Sequence, residues 1–148
     1  MSKTIRSILN VIIYVLIIGG TVYGLPKFLT WSLGTTYPLA AVTSGSMWPV
    51  LHEGDLVLIK GAGKDEIAIG DVVVFQNESG NGFTIHRIVR LGEKTFTTKG
   101  DANFSDDKPV PYDRLVGKNL MVLGKHARIP FMGSITVWAS SLMANVKY

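Results

Sequence analysis

Residues 70–90 read Gly70-Asp71-Val72-Val73-Val74-Phe75, then a short polar stretch to Gly82, then Phe83-Thr84-Ile85-His86-Arg87-Ile88-Val89-Arg90. The first run is short, β-branched and bounded by Gly and Asp, so it reads as a strand. Asn77 to Gly82 holds two glycines and two asparagines, with Asn81-Gly82 as a hairpin signal. The third run pairs back across that turn. On such a strand His86, Ile88 and Arg90 share one face while Ile85, Arg87 and Val89 share the other.

The same pattern extends outward. Asp55-Leu56-Val57-Leu58-Ile59-Lys60 is a strand before the hairpin, and Thr95 to Lys99 and Leu115 to Leu123 supply further strands after it. Pro109, Pro111 and the residues between them make a poor helix and read as an irregular loop. Several short strands with turn signals between them predict a mostly β domain, a curved sheet or partial barrel. Gly61-Ala62-Gly63-Lys64 lacks the preceding glycine and the following Ser or Thr of a phosphate loop, so it reads as a glycine turn.

Ser44-Gly45-Ser46-Met47-Trp48-Pro49 precedes this region. Gly54-Asp55 and Ile85-His86-Arg87 follow in order, then Lys99-Gly100-Asp101-Ala102-Asn103 with Asp106 and Asp107 close behind. A serine, a histidine and an acid on separate elements are the parts of an acyl-transfer site. A serine hydroxyl is a weak nucleophile that needs a base within hydrogen-bond reach. An imidazole, with a reference pKa near ~6.5, takes a proton around neutrality without a large shift. Taken singly, a turn serine bonds its own backbone and loop carboxylates cap backbone N–H groups, so the order of the blocks is what points to chemistry. His52, beside Glu53, and His126, in a basic stretch, read as bland. No histidine pair at i, i+4 and no His-carboxylate cluster shows ligand spacing, so neither metal nor other cofactor is expected.

Together these blocks resemble the type I signal peptidases, and more closely their archaeal and endoplasmic-reticulum branch, in which a histidine replaces the lysine base of most bacterial members. No lysine occurs between Gly82 and Leu91. The resemblance runs from about Ala41 to Gly133, and it implies a signal-peptidase-like catalytic domain with preprotein signal peptides as substrates. It implies Ser46, the serine just before methionine, as nucleophile and His86 as general base. The Ser46 backbone N–H and the Ser44 hydroxyl would be the oxyanion donors. The acid orienting the imidazole would be Asp107, six residues after Asp101, with its neighbour Asp106 as the alternate. Asp101 would be a further acid holding the site together. Small residues are implied at positions −3 and −1 of the cleavage site, and accessory membrane subunits are a partner class left open. The rival reading is a catalytically inactive membrane-tethered β-domain that binds an extracytoplasmic partner. A self-cleaving Ser-Lys repressor type is disfavoured by the missing lysine.

Ile8 to Leu25 is an 18-residue run whose only strongly polar side chain is Asn10. As a helix it covers roughly 27 Å, close to the hydrocarbon thickness of a bilayer. Lys3 and Arg6 before it favour a cytoplasmic N-terminus, and Tyr23, Trp31 and Tyr37 suit the far interface. A cleavable signal peptide is the alternative, weakened by the length of the run and by the lack of a prompt small-x-small site. The expected layout is a cytoplasmic segment at 1–7, a transmembrane anchor at 8–25 and an extracytoplasmic or lumenal catalytic domain at 26–128. A membrane-interfacial or second transmembrane segment follows at 129–148. Gly133, Ser134, Thr136, Ser140 and Ser141 dilute that last stretch, and Phe131, Met132 and Trp138 favour the interface. This places the protein in a plasma or endoplasmic-reticulum membrane.

Charge agrees with a bilayer partner. All eleven acids lie between Glu53 and Asp113, where seven Lys or Arg leave a net −4; the first 52 residues carry +3 and the last 35 carry +5. A nucleic-acid binder would gather its basic residues on one folded face, and no such partner is expected. Basic ends around an acidic centre suit anionic lipid. Zero cysteines exclude disulfides, a thiol nucleophile and cysteine-bound zinc.

Overall fold

A computed structural model describes residues 3–80 and 82–145, with side chains up to Trp138. Asn81 of the expected hairpin signal and Tyr148 lie outside the described residues. Strands β1 Leu39–Ala41, β2 Leu56–Lys60, β3 Val72–Gln76 and β4 Phe83–Leu91 are followed by β5 Thr95–Lys99, β6 Val110–Pro111 and β7 Leu115–Asn119. The last three are β8 Met121–Val122, β9 Lys125–His126 and β10 Arg128–Ile129. The main sheet runs β1-β2-β7-β3-β4-β5-β6, with β10 also on β2, while β8 and β9 form a separate two-stranded hairpin. Every pairing is antiparallel. The result is a half-barrel, as the strand pattern predicted.

The β3–β4 hairpin is its centre, with Val73 opposite His86 and Phe75 opposite Thr84. Val72 to Phe75 are all buried, which explains a continuous apolar run instead of an alternating one: β3 is covered on both faces. Val73 and Phe75 pack with Ile67, Ile88, Phe96 and Val110. Val72 packs with Val42, Met47, Leu51 and Val57. Phe96 meets the edge of Phe75 at 5.7 Å and lies 5.5 Å from Tyr112, ring centre to ring centre.

Three local expectations are corrected. The alternation expected through Arg90 breaks at a bulge, because Ile88 faces Thr98 but Arg90 faces Thr97; the extra residue, Val89, resets the faces. Leu115 to Leu123 divides into β7 and β8 around Leu120. The Pro109–Pro111 loop contains the two-residue β6, at the sheet edge where a proline costs no ladder bond.

The N-terminal helix outruns Ile8–Leu25. Helix α1, Lys3–Gly19, passes through a π turn at Gly20–Gly24 into α2, Leu25–Leu33. A proline inside a helix clashes with the carbonyl four residues back. The wide turn immediately upstream accommodates Pro26, so the helix continues. It ends at Gly34 in the left-handed region (φ 61°). Among the described residues this is the one helix long and apolar enough to cross a membrane. Its end docks on the sheet, the Gly61 N–H donating to the Leu33 carbonyl at 2.8 Å. A Cβ on Gly61 would lie 2.1 Å from the Gly34 carbonyl oxygen, so this glycine permits close backbone approach.

At the other end, α3 (Met132–Asn145) starts by donating the Gly133 and Ser134 N–H groups to the Gly54 carbonyl, at 2.9 and 3.3 Å. The neighbouring Asp55, its side chain 3% exposed, accepts from Arg128 Nη1 at 2.6 Å and from the His52 N–H at 2.9 Å. Gly54-Asp55 therefore ties the C-terminal segment to the start of β2.

Candidate active site

Ser46 sits in a 3-10 turn, Gly45–Met47, on the short path from β1 to β2. Met47 plugs the core beneath it at 1% exposure. The loop after β5 holds the turn from the other side, with the Ala102 N–H donating to the Ser46 carbonyl at 2.9 Å. A Cβ at Gly100 would lie 2.7 Å from that same oxygen. Only glycine lets this loop come so close, a physical reason for the Gly100-Asp101-Ala102-Asn103 turn.

His86 comes from the middle of β4 and is buried. Its Nε2 lies 3.0 Å from Ser46 Oγ, and its Nδ1 lies 2.5 Å from Asp107 Oδ2. An ionised carboxylate only accepts hydrogen bonds, so Nδ1 carries the proton and Nε2 presents its lone pair to the serine hydroxyl. Residues 40 and 21 positions apart thus form one hydrogen-bonded series. Ser44 Oγ stands 3.2 Å from Ser46 Oγ, within hydrogen-bond reach of it.

The two remaining acids stand apart from this series. Asp106, 46% exposed, faces Arg90 at 3.9 Å. Asp101 makes a two-pronged pair with Arg87, Nε to Oδ1 at 2.8 Å and Nη2 to Oδ2 at 2.7 Å, while Arg87 Nη1 donates to the Gly70 carbonyl at 2.7 Å. The hydrogen bonds that Arg87 donates to Asp101 raise the pKa of its guanidinium above the ordinary value, against the opposing effect of burial. Asp101 therefore braces the loop that holds Ser46, at one remove from the histidine.

Sequence reading passed over Thr98. Its Oγ1 donates to Asp107 Oδ2 at 2.7 Å, and its carbonyl accepts the Asp107 N–H at 2.8 Å. A threonine within a β run carries no signal beyond strand propensity; the β4–β5 register is what brings it here. Arg87 was named only as part of a motif. Its partner follows from the same register, which sets Arg87 opposite Lys99, two residues before Asp101.

The other histidines are built into the frame. His126 Nδ1 lies 2.6 Å from Asn119 Oδ1, and Asn119 in turn donates to the Leu58 carbonyl at 3.0 Å. Burial pushes the His126 imidazole below the usual histidine range, with the Arg87 charge adding to it and Asp101 opposing. Among the described residues no group of three or more His, Asp or Glu is placed to hold a metal ion.

A cleft of about 410 Å³ opens beside Ser46 and His86. One wall is β1, continuing through Val42 to Ser44; the other is Phe83 to Ile85 of β4, with Met47 and Val74 also lining it. Among the described residues β1 pairs only with β2, and Phe83 to Ile85 pair only with β3. Both walls thus present a free strand edge to the cleft.

A serine, a histidine and a carboxylate in hydrogen-bonded series on a β half-barrel define a molecule built like a serine hydrolase. Its relatives narrow this. The chain is 33% identical over 114 residues to the signal peptidase complex catalytic subunit SEC11C of Homo sapiens, covering 70% of this chain and 58% of that protein. It is 35% identical over 111 residues to the signal peptidase complex catalytic subunit sec11 of Neurospora crassa, covering 70% and 64%. Against the corresponding SEC11 of Metarhizium acridum it is 30% identical over 140 residues, covering 85% and 81%. The chain belongs to the family of signal peptidase complex catalytic subunits. It spans 58% of the length of its mammalian relatives. No family model matches it.

Proposed function

We propose that this protein is a membrane-bound serine endopeptidase that removes N-terminal signal peptides from exported and membrane proteins, as the names of its relatives suggest. The observation that carries the reading is the series Ser46 Oγ, His86 Nε2, His86 Nδ1, Asp107 Oδ2, at 3.0 and 2.5 Å. Ser46 attacks the scissile carbonyl as His86 takes its proton, and Asp107 steadies the imidazolium. The tetrahedral oxyanion is met by the Ser46 N–H and the Ser44 hydroxyl. His86 then gives the proton to the leaving amine, leaving an acyl-enzyme. Water, deprotonated by His86, releases the acyl group and restores Ser46.

The cleft suits an extended chain. A peptide laid between the free edges of β1 and Phe83–Ile85 gains backbone hydrogen bonds on either side. Its scissile carbonyl then reaches Ser46 at the cleft's end. The apolar lining of Ala40, Val42, Met47, Val74 and Ile85 offers shallow pockets to alternate side chains, in keeping with small residues at −3 and −1.

The helix Lys3–Leu33 anchors the domain with the N-terminus cytoplasmic, and the catalytic domain lies on the far side. The C-terminal segment rests in the interface on that same side, its first turn held by Gly54. Anchoring raises the local concentration of enzyme for signal helices in the same bilayer. Accessory membrane subunits are the expected further partners.

Detergent-solubilised protein incubated with a preprotein tests the reading. Wild type should release mature protein, and Ser46→Ala should lose activity by several orders of magnitude. Near-normal processing by Ser46→Ala would remove Ser46 as nucleophile. Lys64→Cys and Tyr148→Cys, labelled in intact cells with a membrane-impermeant thiol reagent, test the layout. Both should react. Protection at 148 alone would give a second crossing, and protection at 64 would reverse the orientation.

A further inference from the structure

We propose that Thr98 is a positioning residue of the relay, and that it selects Asp107 over the adjacent Asp106 as the acid facing His86. This rests on the peptidase reading above and extends it to a residue outside the triad.

Thr98 lies in β5 opposite Ile88. Ile88 and His86 are two residues apart on β4, so Thr98 and His86 occupy the same face of the sheet. Its side chain is fully buried, at 0% exposure, which removes water as a partner for its hydroxyl. The hydroxyl donates to Asp107 Oδ2, the same oxygen that meets His86 Nδ1. Two donors from two neighbouring strands thus converge on one carboxylate oxygen and fix its torsion. Without the hydroxyl this side chain, 26% exposed, is free to turn an oxygen toward solvent.

The backbone of Thr98 completes the clamp. Its carbonyl accepts the Asp107 N–H at 2.8 Å, so the loop is registered on β5 at both the backbone and the side chain of residue 107. A slip of one residue, which would bring Asp106 to the histidine, breaks both bonds together. Among the described residues Asp106 has no such tether, only the 3.9 Å approach of Arg90 at the surface.

The test uses full-length protein in detergent with a preprotein substrate. Thr98→Val removes the hydroxyl at nearly constant shape, and Thr98→Ser keeps it. Thr98→Val should lower kcat about 10- to 100-fold with KM nearly unchanged, the effect of one charge-assisted hydrogen bond. Thr98→Ser should stay within about threefold of wild type. The downfield proton resonance of His86 Nδ1–H should shift in Thr98→Val and persist in Thr98→Ser, independently of turnover. In an Asp107→Asn background Thr98→Val should cost nothing further, because the residues act as a unit. Wild-type kcat in Thr98→Val, an equal loss in Thr98→Ser, or a full additive loss in the Asp107→Asn background would each overturn the assignment. Thr98→Ala gives the same comparison should the valine variant misfold. Ser46→Ala, run alongside, separates the failures: if it is inactive while Thr98→Val is normal, only the role of Thr98 falls, and if it is active the peptidase reading falls first.

Discussion

No residue of α1 or α2 is buried by the rest of the protein, whereas β4 sets His86 and Ile88 into a sheet whose neighbouring strand buries Phe96 completely. Both regions are apolar, but they satisfy their side chains differently. The helices meet their backbone hydrogen bonds internally and leave the apolar surface exposed, as a helix suited to lipid does. The half-barrel hides its apolar surface against itself and closes its polar groups in pairs; among the described residues no buried side-chain N or O atom lacks a hydrogen-bond partner. In the helix any apolar side chain of suitable size serves. In the sheet a residue's neighbours fix its identity, so sensitivity to mutation should concentrate around β4 and β5.

The largest effect should follow loss of the base. His86→Ala should abolish preprotein cleavage, with a loss of several orders of magnitude. Substantial cleavage by His86→Ala would remove His86 as the base. Next, Ser44→Ala should reduce kcat about 10²- to 10³-fold, the range of one oxyanion donor. An unchanged rate would reduce Ser44 to a turn residue. On stability, Phe96→Ala should cost about 3–5 kcal/mol through the cavity it leaves, measured by denaturant unfolding of the solubilised protein.

His126 gives a smaller effect with a defined sign. Its folded imidazole binds protons less readily than the unfolded one. Stability from this group is therefore full above the ordinary histidine range near ~6.5 and is lost as pH falls through the lower folded value. His126→Gln should flatten that part of the stability–pH curve; a curve unchanged by the substitution would remove His126 as its source. The smallest effect belongs to the helix. Ile13→Leu should leave cleavage and domain stability within about 0.5 kcal/mol of wild type, and a large loss there would erase the contrast between the two regions.

The sheet was legible wherever a strand is long enough to show composition, as at Val72–Phe75, Phe83–Arg90 and Thr95–Lys99. Strands β1, β6, β9 and β10, of two or three residues, carry no period to read, and tertiary pairing alone makes them strands. The helix end was missed because the apolar run was bounded at Leu25, whereas the π turn ahead of Pro26 carries the helix on to Leu33. Of the site, Ser46, His86 and Asp107 were named through the family resemblance that the ordered blocks carry, and the structure brings these three side chains together. Asp106 and Asp107 could not be separated by residue type, since both are loop carboxylates. What separates them is the tether to Thr98, a contact set by strand register and by nothing local in the sequence.

That separation offers the most direct test of the relay. Turnover of one preprotein by Asp107→Ala and Asp106→Ala should be measured side by side. Removing the acid that orients a histidine costs on the order of 10⁴ in rate, so Asp107→Ala should be nearly inactive. Asp106→Ala, which loses only a surface approach to Arg90, should remain within about tenfold of wild type. A dead Asp106→Ala beside an active Asp107→Ala would contradict the hydrogen-bonded series on which the account stands.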